Sequence, residues 1–402
     1  MNPKPDTHAS SASAKRMAPG RRFRRRLSSI ARLIPAAAVA LFVSTGLPLA
    51  HAQTPLPPDQ VEHAVVFKVP GRFIAHPANR GVWVWGDEIL VGFKHAVYQD
   101  KPDSHSRDES KPQILTSARS LDGGRTWKED DPAKFRGDLP KAAPSPGGIK
   151  FDHPDFALRI ERDMFLYTYD RGRTWKGPYE IAGLDLELSS RTDYLINGPD
   201  DAFFFFSAKH DAVKAGSYKD RAFMARTRDG GKTFKFVSWM THEPLGTRSV
   251  MPSTVRVSAI ELVSVLRRRD DSKNNWIDAY ASTDNGATWK FRSKVASTDQ
   301  PDTGHNGNPP VMVRLRDGKL VIAYGYRSPP YGIRARISDD NGRTWGRELV
   351  LRDDARTWDI GYPRMVVRPD GKVVTIYYIT TAKEPEQHIA ATIWDPNAVQ
   401  RE

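Results

Sequence analysis

One eight-residue pattern, S/T-x-D-x-G-x-T-W/F, returns five times in this chain and constrains its fold more than any other feature. The copies are "SLDGGRTW" from Ser120, "TYDRGRTW" from Thr168, "TRDGGKTF" from Thr227, "STDNGATW" from Ser282 and "SDDNGRTW" from Ser338. Their starts lie 48, 59, 55 and 56 residues apart. That period belongs to propeller blades or stacked arrays, in which each repeat buries its apolar face against the next.

A single copy reads as a tight hairpin turn. Its Asp accepts backbone N–H groups across the turn, its Gly supplies a positive φ, and its Ser or Thr adds a local hydroxyl contact. The closing aromatic then turns inward, where its large area wedges between sheets. On this reading the box is scaffolding, and Asp122 is not a catalytic acid. Between copies run short β-branched and aromatic segments, "DEILVGFKH", "DAFFFFSAK", "AIELVSVLR", "KLVIAYGYR" and "KVVTIYYIT". Several follow Asp-Gly or Gly-Asp turns, as strands do, and no long 3.6-residue period appears.

Four short strands in about 55 residues make one blade, so roughly 350 residues make six. The expected fold is therefore all-β, a six-bladed β-propeller, with a seventh blade only if residues 61 to 118 hold a divergent one. The last blade, from about Asp359, lacks the box, and the early strand "HAVVFKVP" is available to close the ring beside it.

The first 52 residues differ from the rest. They hold nine Lys or Arg and one acid, Asp6, followed by the apolar run "LIPAAAVALFVSTGLPLA" and then Ala50-His51-Ala52. Basic segment, short apolar segment and small-x-small site together read as a cleaved signal peptide, with the propeller domain at 53–402. Pro35, Gly46 and Pro48 interrupt the run, which argues against a membrane span. The mature chain is expected to be exported, to the periplasm or beyond. Losing the leader lowers the formal charge from +13 to about +5. A nucleic-acid partner then loses its support, because no long basic run remains. The absence of cysteine excludes thiol catalysis, Cys-based zinc sites and disulfides. No metal-ligand spacing stands out, and no cofactor is expected, although a Ca²⁺ held by scattered carbonyls would leave no trace in sequence. A monomer is expected.

The repeated box on a blade-like period resembles the Asp-box, or BNR, repeat, and residues 60 to 400 are similar to the sialidase superfamily of β-propellers. The resemblance implies a funnel at the ring axis, on the face opposite the boxes. It also implies an arginine triad for a substrate carboxylate, a tyrosine nucleophile with a glutamate partner, and an aspartate acid/base. Planar Arg forks grip carboxylates bidentately, and a phenol reacts when its proton can leave. Tyr362 resembles the nucleophile, Arg267 the second triad arginine, and Arg327 or Arg334 the third. The stretch "GRFIAHPANRGVWVWGDEILVGF" offers Arg72, His76 and Arg80 for the first. Arg191 and Arg248 precede or begin inner strands, where funnel residues belong, as does Asp193.

The acid/base loop of that pattern falls at "KHAVYQDKPDSHSRDESKP", with Asp103, His105 and Asp108. The glutamate does not appear: its place reads "RSVMPSTVR", with Pro252 and Ser253 where the acid is expected. Histidines are plentiful instead, at 76, 95, 105, 153, 210 and 305, and His305 stands with Asn306 and Asn308 just before an inner strand. Imidazole is the natural general acid/base near neutral pH. The catalytic set expected is Tyr362, His105, Asp108 and His305, with Arg72, Arg191, Arg248, Arg267, Arg327 and Arg334 binding substrate. The expected function is a sialidase-like exo-glycosidase acting on a glycan with a terminal acidic sugar. The alternatives are a histidine-dependent rhamnosyl-glucuronate lyase or rhamnosidase, and a glycan-binding propeller without catalysis.

Overall fold

Every copy of the box joins two neighbouring antiparallel strands, and the strands sort into six separate sheets. The computed structural model describes residues 55–135, 139–189, 191–209, 220–242, 247–301 and 303–399; the expected leader, 1–52, lies outside the described residues. Blade I consists of Arg72–Ala75 and Val82–Trp85, both paired with Glu88–Val97, followed by Ile114–Ser120 and Lys128–Glu129. Blade II has Ala157–Glu161, Met164–Thr168 and Lys176–Glu180. Blade III has Tyr194–Ile196, Ala202–Lys209, Asp220–Thr227 and Lys235–Trp239, and blade IV has Arg248–Arg256, Leu262–Arg269, Asn275–Ser282 and Lys290–Ser297. Blade V has Val311–Arg314, Leu320–Tyr326, Gly332–Ser338 and Leu349–Arg352. Blade VI takes Gly361–Val367, Val373–Ile379 and His388–Trp394 from one end of the chain and Val61–Phe67 from the other.

That last pairing closes the ring, as the early strand's pattern suggested: Val61 lies opposite Trp394 and Val65 opposite Ala390. It also explains the missing sixth box. The box sits between the third and fourth strands of a blade, and in blade VI these come from opposite ends, so no hairpin exists there. Residues 61 to 118 thus hold the closing strand and blade I, and the count is six. Blade II departs from the four-strand expectation, since its inner edge is covered by side chains instead of a strand. Thr192 Oγ1 accepts from Ile160 N at 3.0 Å and Tyr194 OH from Leu158 N at 3.3 Å.

The core is divided among the blade interfaces. Apolar clusters lie between blades I and II, II and III, III and IV, IV and V, V and VI, and VI and I. Middle strands touch a neighbour on both faces, which is why "AFFFFSA" at 202–208 is buried throughout instead of alternating.

The box geometry is the one its residue types dictate. In blade V, Asp340 Oδ1 accepts from the N–H groups of Arg343 and Thr344, both at 2.9 Å, and Oδ2 from Thr344 Oγ1 at 2.6 Å. Ser338 Oγ donates to Asp340 at 2.8 Å and accepts from Gly342 N at 2.8 Å, with Gly342 at φ 79°. Trp345 then reaches back to blade IV, its Nε1 donating to Ser293 Oγ at 3.1 Å. Trp289 bonds Ser238 of blade III in the same way, at 3.1 Å.

The boxes also fix the register of each second strand. Their first residues pair with Ile89, Ala157, Ala202, Leu262 and Leu320 in blades I to V. Five residues beyond each partner, towards the face opposite the boxes, come Lys94, Arg162, Ser207, Arg267 and Gly325.

Candidate active site

On that opposite face a cavity of about 660 Å³ opens at the ring axis, with Tyr362 in its lining. Tyr362 sits at a kink. The inner strand of blade VI shifts register against its neighbour between Gly361 and Arg364, and Tyr362 has φ 47°, a left-handed conformation costly for an aromatic residue. Asn308, fully buried, holds it there. Its Oδ1 accepts from Tyr362 N at 2.9 Å and Gly325 N at 3.1 Å, while its Nδ2 donates to Ile360 O at 2.7 Å. Blade IV kinks in the same way at Met251, with φ 55° and a register shift between Val250 and Ser253. Met251 therefore lines the cavity where the expected glutamate is absent.

The electrostatics are set by cations. Arg267 Nη1 donates to the Tyr362 hydroxyl at 3.2 Å, and the Arg327 guanidinium lies 5.6 Å from the ring centre. Among the described residues no carboxylate hydrogen-bonds that hydroxyl. Burial, the largest single influence on the phenol, raises its pKa, but Arg267, Arg327 and Arg248 together outweigh it and hold it below the ordinary value. The wall carries Arg80, Lys94, Arg162, Arg248 and Arg267 against one acid, Glu161, which is paired with Arg80. Arg248 bonds Asp220 at 2.9 Å. Burial, then Arg107 and Arg80, push Lys94 down to about 7, against a partial opposing effect of Glu161.

A histidine cluster adjoins the tyrosine. His76, 4% exposed and at φ 66°, meets the Tyr362 ring edge-on at 4.9 Å and the His105 ring at 4.8 Å. Its Nδ1 is buried without a partner, and burial, followed by His105, Lys94 and Arg107, keeps the imidazole neutral. His105 Nδ1 lies 2.9 Å and 3.0 Å from the two oxygens of Asp359, which also accepts from Tyr378 OH at 2.6 Å. His305 stacks on Trp358 with ring centres 4.0 Å apart.

The residues expected from sequence thus separate. Tyr362, Arg248 and Arg267 line the cavity, His105 lies one imidazole behind Tyr362, and Arg327 lies beneath it, bonded to Tyr378 OH at 3.0 Å. His305 is set aside by its stack, close to Arg327. The others are not in the lining. Asp108 caps its own exposed loop through Ser110 N at 2.9 Å, and Arg72 bonds His95 at 3.0 Å. Arg334 donates to the carbonyls of Arg352 and Pro330, each at 2.9 Å, and holds the blade V loop. Arg191 is buried on the carbonyl of Pro252 at 2.7 Å and that of Pro310 at 3.1 Å, tying blades together near the axis. Beside it, burial pushes Asp193 up to about 7. His210 lies outside the described residues. Sequence points to Asn308 only as a neighbour of His305, and gives no sign of Lys94, Arg162, Glu161 or Asp359 as site residues. Among the described residues, no cluster of three His, Asp or Glu side chains offers a metal site.

Residues 141–375 match the family described as BNR repeat-like domain. No curated protein matches by sequence. A Dyadobacter fermentans protein of unknown function is similar in structure, with a TM-score of 0.62 and 22% identity over 84% of this chain and 99% of that one. The α-L-arabinofuranosidase of Fusarium graminearum in complex with arabinobiose gives 0.53 and 15%, covering 84% and 98%. The NanB sialidase of Streptococcus pneumoniae gives 0.54 and 9%, covering 84% and 71%. At these identities the likeness to the solved structures is one of fold.

Proposed function

The chain belongs to the BNR repeat-like domain family, and from that membership and its cation-lined cavity we propose that it is a glycosidase acting on a glycan with a carboxylate-bearing sugar. The observation that carries the reading is the Tyr362 hydroxyl, bonded by Arg267 at 3.2 Å, in a cavity with five cationic wall residues and one acid. A fold by itself does not assign chemistry, so the site must.

Arg248 and Arg267 take the sugar carboxylate, since charge-assisted bonds from guanidinium forks are strong and directional. Tyr362 is the nucleophile. A glutamate would activate it by removing the proton; here Arg267 and Arg327 favour the phenolate instead. The phenolate oxygen bonds to the anomeric carbon as the glycosidic C–O bond breaks, and water later releases the sugar. His105, paired with Asp359 and one imidazole behind Tyr362, gives the departing oxygen its proton by way of His76 and recovers one from the water that releases the sugar. The leader sequence supports action outside the cytoplasm.

The test is incubation with oligosaccharides capped by sialate or uronate. Released acidic sugar is expected, and Tyr362→Phe should abolish release while the variant unfolds like the parent. No release from any member of the panel would refute the reading. A second reading is favoured by the absent carboxylate partner: the same phenolate could take the proton beside a uronate carboxylate and eliminate the glycosidic oxygen. That product carries a conjugated double bond and absorbs in the ultraviolet, whereas the hydrolase product does not.

A further inference from the structure

The cations of the cavity are arranged in two groups that face one another. In the rung defined by the boxes, blade I contributes Lys94 and blade II Arg162, while blade IV contributes Arg267; blades III and V contribute only Ser207 and Gly325. In a six-bladed ring whose neighbours follow chain order, blade I stands across the axis from blade IV. Arg80 reinforces the first group, and Arg248 the second.

Each group has its own incomplete balance. Glu161 is paired with Arg80 and partly offsets at Lys94 the effect of Arg107, Arg80 and Arg162, while the buried His76 also faces Lys94. Across the axis, Arg248 has Asp220, whereas Arg267 has the Tyr362 hydroxyl. A sugar with one carboxylate bound by Arg248 and Arg267 would leave the Lys94 and Arg162 wall facing water or a neutral hydroxyl.

We propose that the cavity binds a dianionic disaccharide unit, one anionic group held by Arg248 and Arg267 and a second, on the adjoining sugar, held by Lys94 and Arg162. The proposal deepens the reading of this cavity as an acidic-glycan site and rests on it. The second group is a carboxylate or a sulfate, both of which offer oxygens to an ammonium and a guanidinium. An anion there also offsets what Arg80, Arg107 and Arg162 do to Lys94. At about pH 8 the free amine is mostly neutral, and binding should then draw a proton onto it.

The test is calorimetry on the whole mature chain with galacturonate, digalacturonate, a singly sulfated uronic-acid disaccharide and maltose. Both dianions are expected to bind at least about tenfold more tightly than galacturonate, the effect of one further charge-assisted bond. Their heats at about pH 8 should depend on the buffer, as proton uptake requires, and those of galacturonate much less. Arg162→Gln, at an exposed position, should reduce the preference to near unity, and Lys94→Met should also remove the proton uptake. If only digalacturonate is preferred the second group is a carboxylate, and if only the sulfated sugar, a sulfate; either supports the proposal. If galacturonate binds as well as both dianions, or if both variants keep the preference, the two-anion inference is overturned while the acidic-glycan reading stands. If maltose binds and no acidic sugar does, both fall.

Discussion

Replacing Asn308 by alanine should loosen the kink that presents Tyr362, and the cost follows from the bonds lost. Three hydrogen bonds disappear from a fully buried side chain. The Ile360 carbonyl keeps Arg327 Nη2 at 3.0 Å, but the N–H groups of Tyr362 and Gly325 lose the acceptor that Asn308 supplied. An unsatisfied buried donor costs about 1–3 kcal/mol, so two of them and a small cavity amount to about 3–5 kcal/mol. For a ring of roughly 350 residues the unfolding entropy is about 0.7 kcal/mol/K, and the melting temperature should fall by about 4–7 °C. Calorimetry and urea unfolding measure this directly. A cycle with Gly361→Ala sharpens the test. Gly361 has φ 96°, and a Cβ there would lie 2.5 Å from the Asn308 amide. In the parent the new methyl meets both a forbidden backbone region and that amide; in Asn308→Ala only the first cost remains. The two changes should therefore be sub-additive by at least about 1 kcal/mol. Additive costs, or an Asn308→Ala variant within about 1 kcal/mol of the parent, would refute the clamp.

Three further outcomes are expected. In a spectrophotometric pH titration one tyrosine should ionise ahead of the rest, the signal should vanish in Tyr362→Phe, and it should move to higher pH in Arg267→Gln, where burial meets less opposition. His105→Gln should reduce turnover of a charged substrate while leaving its binding nearly unchanged, as measured by separate kcat and KM values; an unchanged kcat would remove His105 from the mechanism. The box carboxyl of Asp340 is held down to about 2 in the fold, burial opposing and the bonds from Thr344, Ser338 and Arg343 prevailing. Its stabilising contribution is complete above the unfolded value of 3.8 and is lost as the pH falls through about 2. Asp340→Asn should thus flatten the fall in stability across that window, read by unfolding at a series of pH values.

The architecture was legible because the box is a local device whose residues state their own geometry. Asp, Gly and Thr specify the turn, the turn specifies the register, and the spacing specifies the blade count. The missing sixth copy has its cause in the ring closure, where the third and fourth strands of blade VI come from opposite ends of the chain. The site was harder to read, because it is assembled from residues far apart in sequence. Tyr362 and Arg267 stood out through strand ends and resemblance. Arg334 and Arg191 carry the same chemical signal as Arg267, yet their guanidiniums are spent on carbonyls, which no residue type announces. Lys94 and Arg162 lie five residues past the partners of their boxes, as Arg267 lies past Leu262, but those partners stand 31, 11 and 20 residues from the box starts, so only the folded register reveals the rung. Asp359 had no signal in sequence, since only the packing of blade VI brings it to His105.

The pairing of Val61–Phe67 with His388–Trp394 also governs how such a chain is made. Those strands are separated by more than 300 residues, so the contact that completes the ring is the least local one in it, and it carries the heaviest loop-closure cost. During synthesis the first strand waits for the last, and blades I to V accumulate as an open arc with one bare flank at each end. A chain stopped before His388 has no closing partner to offer, and its exposed flanks are edges on which a second arc can dock. Adding the peptide 61–67 to a chain lacking it should restore the closed ring in solution, which would make the seam a site for controlled assembly from two pieces.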